Sequence, residues 1–384
     1  MALDQETFAQ MKETVSRWVR ERLVPAEDTV EETNEVPEEI IQEMREMGLF
    51  GLSIPEEYGG IGLNMEQECE IIHELCQASL SFRSVIGTTV GIGSQGLVMT
   101  GTEEQKQQYL PRLATGEISS SFCLTEPDAG SDAASLRTTA IRDGDEYVLN
   151  GTKRYITNAL RAGMLTVMAR TDPGKKGASG VSAFVVDPKT PGITIAKADD
   201  KMGQRGTKTS DVIFEDCRVP ASTLLGGEEG QGFYTAMKVL DRGRLHLSSV
   251  STGISERILQ EGVNYAAERK QFGKAIGEFQ LVQAMLADSQ ADLYAGKSMT
   301  LDAARRFDAG EEISMLAACC KMFTTEAAGR IADKAVQIHG GAGYMSEYKV
   351  ERFYRDVRLL RLYEGTTQIQ QMVIGRSLIK AASA

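Results

Sequence analysis

A lone carboxylate beside a glycine marks one place where this sequence could do chemistry. Residues 361–370 read RLYEGTTQIQ, with Glu364 before Gly365 and Thr366 opening a helical run. Thr366 is a candidate N-cap, which would set Glu364 at a helix mouth. There the acid either accepts protons or lies in solvent. Residues 122–132, FCLTEPDAGSD, form a polar loop in which Gly130 lets backbone approach a ligand and Ser131 can donate to phosphate oxygens. The same loop also reads as a turn capped by Ser and Asp. In KRYITN (153–158), Tyr155 and Thr157 sit two apart, so a strand puts both on one face. Such a pair suits a flat heterocycle or a cross-strand core contact. Residues 91–96, GIGSQG, match G-x-G-x-x-G, but no clean strand precedes them and the following run breaks at Thr100 and Gly101. These glycines need a reason other than a dinucleotide cradle.

The elements that must carry these residues fall into three parts. All nine prolines lie at or before Pro220, and the remainder is rich in strong helix formers. Residues 229–384 therefore read as an antiparallel helix bundle. Short β-prone runs such as MLTVMAR and VSAFVVD, punctuated by Asp-Gly, Asn-Gly and Pro-Gly, place an all-β domain over 119–228. Residues 1–118 return to helical texture. The fold class is α+β, in the order helical, β, helical.

Composition narrows the partners. A formal net charge of −12 argues against nucleic acid or an anionic membrane surface. No stretch approaches 18 apolar residues, and the N-terminus lacks the pattern of a signal or transit peptide. Six scattered cysteines without CxxC, and three distant histidines, give no metal site or disulfide framework. The expectation is a cytoplasmic protein without membrane insertion and with buried free thiols.

Taken in order, LTEPDAGSD, KRYITN, MGQRGTKTSDVIFEDCRVP (202–220), ERKQFGK (268–274), QIHGGAGY (337–344) and YEGTTQIQ (363–370) resemble the acyl-CoA dehydrogenase family from end to end. The resemblance implies an N-terminal helical domain (1–118), a central β-barrel-like domain (119–228) and a C-terminal four-helix bundle (229–384). It implies FAD, contacted by Phe122, Leu124, Thr125, Ser131, Tyr155 and Thr157, with Thr366 and Gln368 completing the site. A neighbouring subunit would add Arg269, Phe272, Gln280, Gln337 and Gly341, in a homotetramer built as a dimer of dimers. Glu364 would be the catalytic base. Its peptide N–H would help bind the thioester oxygen. Tyr363 and Gly365 would line the substrate cavity, with Asp241, Arg244 and Ser131 near the CoA moiety and substrate mouth. The implied reaction is α,β-desaturation of an acyl-CoA, with electrons passed to electron-transferring flavoprotein in fatty acid β-oxidation.

Some family members carry the base on the first bundle helix. Here that stretch is LDRGR (240–244), with Gly243 at the alternative position. SFRS (81–84) resembles the stretch of glutaryl-CoA dehydrogenases whose arginine binds a distal carboxylate. Arg83 would then mark a glutaryl- or dicarboxylyl-CoA enzyme, although Gly87 stands where those enzymes have a serine. A helix over residues 80–99 would put Arg83, Gly87 and Gly91 on one face bordering the acyl cavity. A further alternative is a non-oxidising, desulfinase-like member of the same fold.

Overall fold

The computed structural model describes residues 2–383. Seven helices open the chain: α1 (Gln5–Trp18), α2 (Val24–Thr33), α3 (Glu38–Glu46), α4 (Met65–Leu75), α5 (Leu80–Gly87), α6 (Gln95–Thr100) and α7 (Glu103–Ala114). Their starts are chemically marked. Asp4 accepts the Glu6 and Thr7 amides, Asn64 accepts that of Gln67, and Thr102 with Gln105 forms a reciprocal capping box.

The middle of the chain is one curled, seven-stranded sheet: β1 (Ser119–Cys123), β2 (Thr139–Asp143), β3 (Glu146–Thr157), β4 (Ala162–Arg170), β5 (Val181–Val186), β6 (Ile193–Ile195) and β7 (Thr209–Pro220). The path runs β1-β4-β2-β3-β7-β6, with β5 on β4. β4 pairs in parallel with β1 and β2, and the other pairings are antiparallel. β3 bulges between Lys153 and Ile156, where Tyr155 takes a left-handed φ of 58°.

The third part is dominated by α8 (Gly232–Glu268), α9 (Gln280–Asp308) and α10 (Ser314–His339). A small hairpin, β8 (Lys270–Gln271) and β9 (Lys274–Ala275), joins the first two. The helices α11 (Lys349–Val357) and α12 (Thr367–Ala382) follow, and α12 packs on α10. The parts interlock. Val15, Ile41, Leu75 and Ile86 share a core with Leu247, Ile254, Ile331 and Phe353 of the bundle. Leu97 and Leu113 join Met168 and Val185 of the sheet and Ala236 of α8 in a second. Among the described residues no helix is long and apolar enough to cross a membrane.

One expectation changes. The stretch 80–99 is not a single α-helix, because a π-helical turn, Thr88–Gly93, separates α5 from α6. That turn rotates the faces, so counting by 3.6 fails across it. Arg83, Gly87, Thr88 and Ile92 border one cavity, while Gly91 faces the His246 ring instead. A Cβ on Gly93 would lie 2.2 Å from Ser120 Oγ, so this glycine lets the turn press against β1. Close packing, not phosphate binding, accounts for GIGSQG.

Candidate active site

That cavity, of about 350 Å³, lies where the sheet meets α5, α8 and the turn before α12. Its walls include Phe122, Leu124, Thr125, Ser131, Tyr155 and Thr157 from the β part. Arg83, Arg244, Tyr363, Glu364 and Gly365 face it from the helical parts. Residues more than 200 positions apart in sequence thus meet around one space.

The sheet side is built on a buried ion pair that sequence reading missed. Lys153 is fully buried, and its Nζ donates to Glu126 Oε1 at 2.7 Å and to the Leu124 carbonyl at 3.2 Å. Glu126 also accepts the amides of Arg137 and Thr138. This pins the start of the TEPDAGS loop to β3 and ties the later Arg137–Thr138 stretch to Glu126, and the Arg154 amide adds a bond to the Thr125 carbonyl. Tyr155 and Thr157 do face the same cavity, but strand alternation is not the cause. The bulge turns Tyr155 outward, where it is 59 % exposed with the Arg154 guanidinium 4.9 Å above its ring.

Glu364 has φ 54° and Gly365 φ 89°. A left-handed non-glycine residue costs roughly 1–2 kcal/mol and persists only when its surroundings enforce it. Gln370 Nε2 donates to the Glu364 and Gly365 carbonyls at 3.2 and 3.0 Å, and Lys321 Nζ donates to that of Gly365 at 2.7 Å. Thr366 caps α12 by accepting the Ile369 amide. Glu364 is part-exposed through the cavity, yet its Oε2 is shielded and has no hydrogen-bond partner. Burial pushes its pKa up to about 7, against the opposing charges of Arg83, Lys321 and Arg244. A Cβ on Gly243 would lie 2.8 Å from this Oε2. The alternative base position and the Glu364 carboxylate therefore compete for one point in space, and the glycine leaves it to Glu364.

Arg83 sits on a buried charged chain. Its Nε donates to His246 Nε2 at 3.0 Å, and His246 Nδ1 lies 2.7 Å from Glu68 Oε1. Glu68 also pairs with Arg242. Burial and the Arg83 charge push His246 down to about 4 against its bond to Glu68, so the ring is neutral. It accepts from Arg83 and donates to Glu68, which fixes one tautomer. Gly87 matters here, because a Cβ would lie 3.0 Å from the Arg83 guanidinium. Tyr363 lines the same space with a buried, unpartnered hydroxyl that burial pushes up to about 12.

Other expected site residues lie elsewhere. Asp241 does not line the cavity. Its Oδ1 accepts from Arg244 Nη1 at 2.5 Å and from Ser314 Oγ at 3.1 Å, which orients the arginine. Gln368 is exposed on α12. Arg269, Phe272, Gln280, Gln337 and Gly341 are exposed at the end of the bundle where α8 and α10 finish and α9 begins. At 1.5 Å per residue, Gln337 is about 24 Å along α10 from Lys321. Within one chain these five do not reach the cavity.

Sequence models of the N-terminal, middle and C-terminal domains of acyl-CoA dehydrogenases match residues 5–117, 121–217 and 230–379. The chain belongs to the acyl-CoA dehydrogenase family. It is 40% identical to a 3-(aryl)acrylate reductase of Clostridium sporogenes, over 97% of this chain and 100% of the relative. It is 43% identical to subunit CarC of the caffeyl-CoA reductase-Etf complex of Acetobacterium woodii, over 92% and 93%. The butyryl-CoA dehydrogenase structure from Megasphaera elsdenii superposes with a TM-score of 0.93 at 35% identity, covering 99% of each chain. The chain is thus an oxidoreductase of a family whose members depend on FAD. The cavity fits such a group: an aromatic at the rim, an uncrowded Gly130 beside Ser131, and an unpartnered buried Thr207 hydroxyl.

Proposed function

We propose that this chain catalyses α,β-desaturation of an acyl-CoA thioester, with Glu364 as the base and electron-transferring flavoprotein as the electron acceptor. The observation that carries the reading is the Glu364 carboxylate, held in a left-handed turn at the cavity wall with an unpartnered Oε2. FAD, when bound, supplies the two-electron redox chemistry. Phe122, Leu124, Thr125, Ser131, Tyr155 and Thr157 would hold it from the cavity wall, and Thr366 and the exposed Gln368 at the start of α12 would contact it outside the cavity.

The protein's own work is to bind, orient and move a proton. Glu364 takes the α-proton of the thioester, and burial brings its pKa close to neutral, where a base is most effective. The Glu364 peptide N–H would stabilise charge developing on the thioester oxygen. Arg244, steadied by Asp241, gives the cavity wall a cation for the CoA moiety. The same placement serves the reverse reduction, and the acceptor sets the direction. The reductase relatives and the Etf-complex relative fit that view.

Arg269, Phe272, Gln280, Gln337 and Gly341 would reach FAD from a second copy, in a homotetramer. Supporting this, Phe272 is 94 % exposed, and Leu281, Tyr344 and Met345 are exposed apolar residues at the same end of the bundle. Such a patch marks an interaction surface.

A second reading concerns the substrate. Arg83 is a buried cation at the cavity wall whose Nε is occupied by His246, which leaves its two Nη groups to receive an anion. A dicarboxylyl-CoA would supply one. A desulfinase-like, non-oxidising activity has no observation in its favour. The test is turnover on CoA thioesters of monocarboxylic and dicarboxylic chains, with a dye and with electron-transferring flavoprotein. Absence of flavin reduction by every saturated thioester would refute the reading.

A further inference from the structure

Lys321 is fully buried on α10, outside the cavity lining, and the reaction as described gives it no role. Its Nζ makes one hydrogen bond, to the Gly365 carbonyl. Five residues further along α10, Glu326 accepts from Thr367 Oγ1 at 2.6 Å and from Arg361 Nη1 at 3.2 Å. The helix therefore grips both flanks of the segment that carries the base. Gln370, also fully buried, donates from α12 to the Glu364 and Gly365 carbonyls.

We propose that Lys321 is a positioning residue for the reaction: through the Gly365 carbonyl it holds the Glu364–Gly365 turn in the conformation that aims the carboxylate into the cavity. The inference rests on Glu364 being the base. A buried lysine is an expensive donor for a mere turn, since an amide or hydroxyl binds a carbonyl without a desolvated charge. What the charge adds is an electrostatic effect on the carboxylate. The charged groups that act on Glu364 are Arg83 from α5, Arg244 from α8 and Lys321 from α10; those acting on Lys321 are Glu364, Arg244 and Glu326. Burial pushes Lys321 down to about 8 and Glu364 up to about 7, and each charge favours the ionised form of the other.

The experiment compares Lys321→Met, which removes donor and charge, with Lys321→Gln, which keeps a donor, in the FAD-loaded enzyme. Two readouts are taken: the pH profile of kcat/KM, and the titration of the Glu364 carboxyl followed by infrared difference spectra against Glu364→Gln. Lys321→Met should keep FAD content and melting temperature, lower kcat about tenfold or more, and raise the carboxyl titration by about one pH unit or more. Lys321→Gln should recover part of kcat while leaving the titration high. A Lys321→Met enzyme with an unmoved Glu364 titration and kcat within twofold of wild type would overturn the proposal. The infrared titration needs no turnover, so this failure is separable from failure of Glu364 as base, which Glu364→Gln reports by itself.

Discussion

Replacing Arg83 by Met tests the reading of this arginine as the cavity's anion receptor. Arg83 is only 6 % exposed, and its Nε is tied to a neutral imidazole that brings no countercharge. A distal carboxylate at its Nη groups would make a charge-assisted pair shielded from water. Removing the arginine leaves that carboxylate buried and alone, which costs about 3–5 kcal/mol for a broken buried pair. At 1.36 kcal/mol per factor of ten, kcat/KM on the diacid should fall roughly 150- to 5,000-fold. A fatty acyl chain of equal length brings no charge, so its loss should stay within about tenfold. The assay measures kcat/KM for wild type and Arg83→Met on matched dicarboxylyl-CoA and acyl-CoA series with one dye acceptor. Equal losses on both series, or no diacid turnover by the wild type, would refute the argument and leave Arg83 as a structural partner of His246.

Other consequences are measurable. Glu364 must be ionised to accept a proton, so kcat/KM should rise with pH through an acid limb near 7, and a limb near pH 4 would contradict the buried-base geometry. The same shift destabilises the folded state as pH rises, because the native carboxyl keeps a proton that the unfolded chain releases above about 4.5. The melting temperature of Glu364→Gln minus that of wild type, both without FAD, should therefore grow from pH 4.5 to 7 and level off above; a constant difference would contradict this. Stripping FAD should lower the melting temperature and loosen the oligomer, since ligand binding stabilises only through sites that exist in the native assembly. An apo-protein of unchanged size and stability would remove Arg269 and Gln337 from a shared site.

Local patterns made the frame readable. The proline-free stretch after Pro220 and its helical spacing pointed to α8, α9 and α10, and β-prone runs between turn dipeptides pointed to β3, β4, β5 and β7. Thr366 was legible as a cap because capping is a local rule. Two local inferences met non-local corrections. Tyr155 and Thr157 share the cavity through a bulge, which alternation cannot foresee, and Gly91 left the expected face because a π-helical turn intervened. The supports of the site were invisible for another reason. Lys153, Glu126, His246, Glu68, Lys321 and Gln370 read as ordinary polar residues until the fold buries them against partners, some of them far away in the chain, as Arg83 is from His246. A buried polar side chain declares itself by its partner, and periodicity carries no trace of that partner.

The central claim is that Glu364 removes the proton. The most direct measurement is single-turnover flavin reduction by Glu364→Gln with a saturating acyl-CoA substrate, at matched FAD content. Unchanged FAD binding and a rate lower by about 10²- to 10⁴-fold, the usual loss for a general base, are the expected result. A rate within about threefold of wild type would show that the proton leaves to some other group.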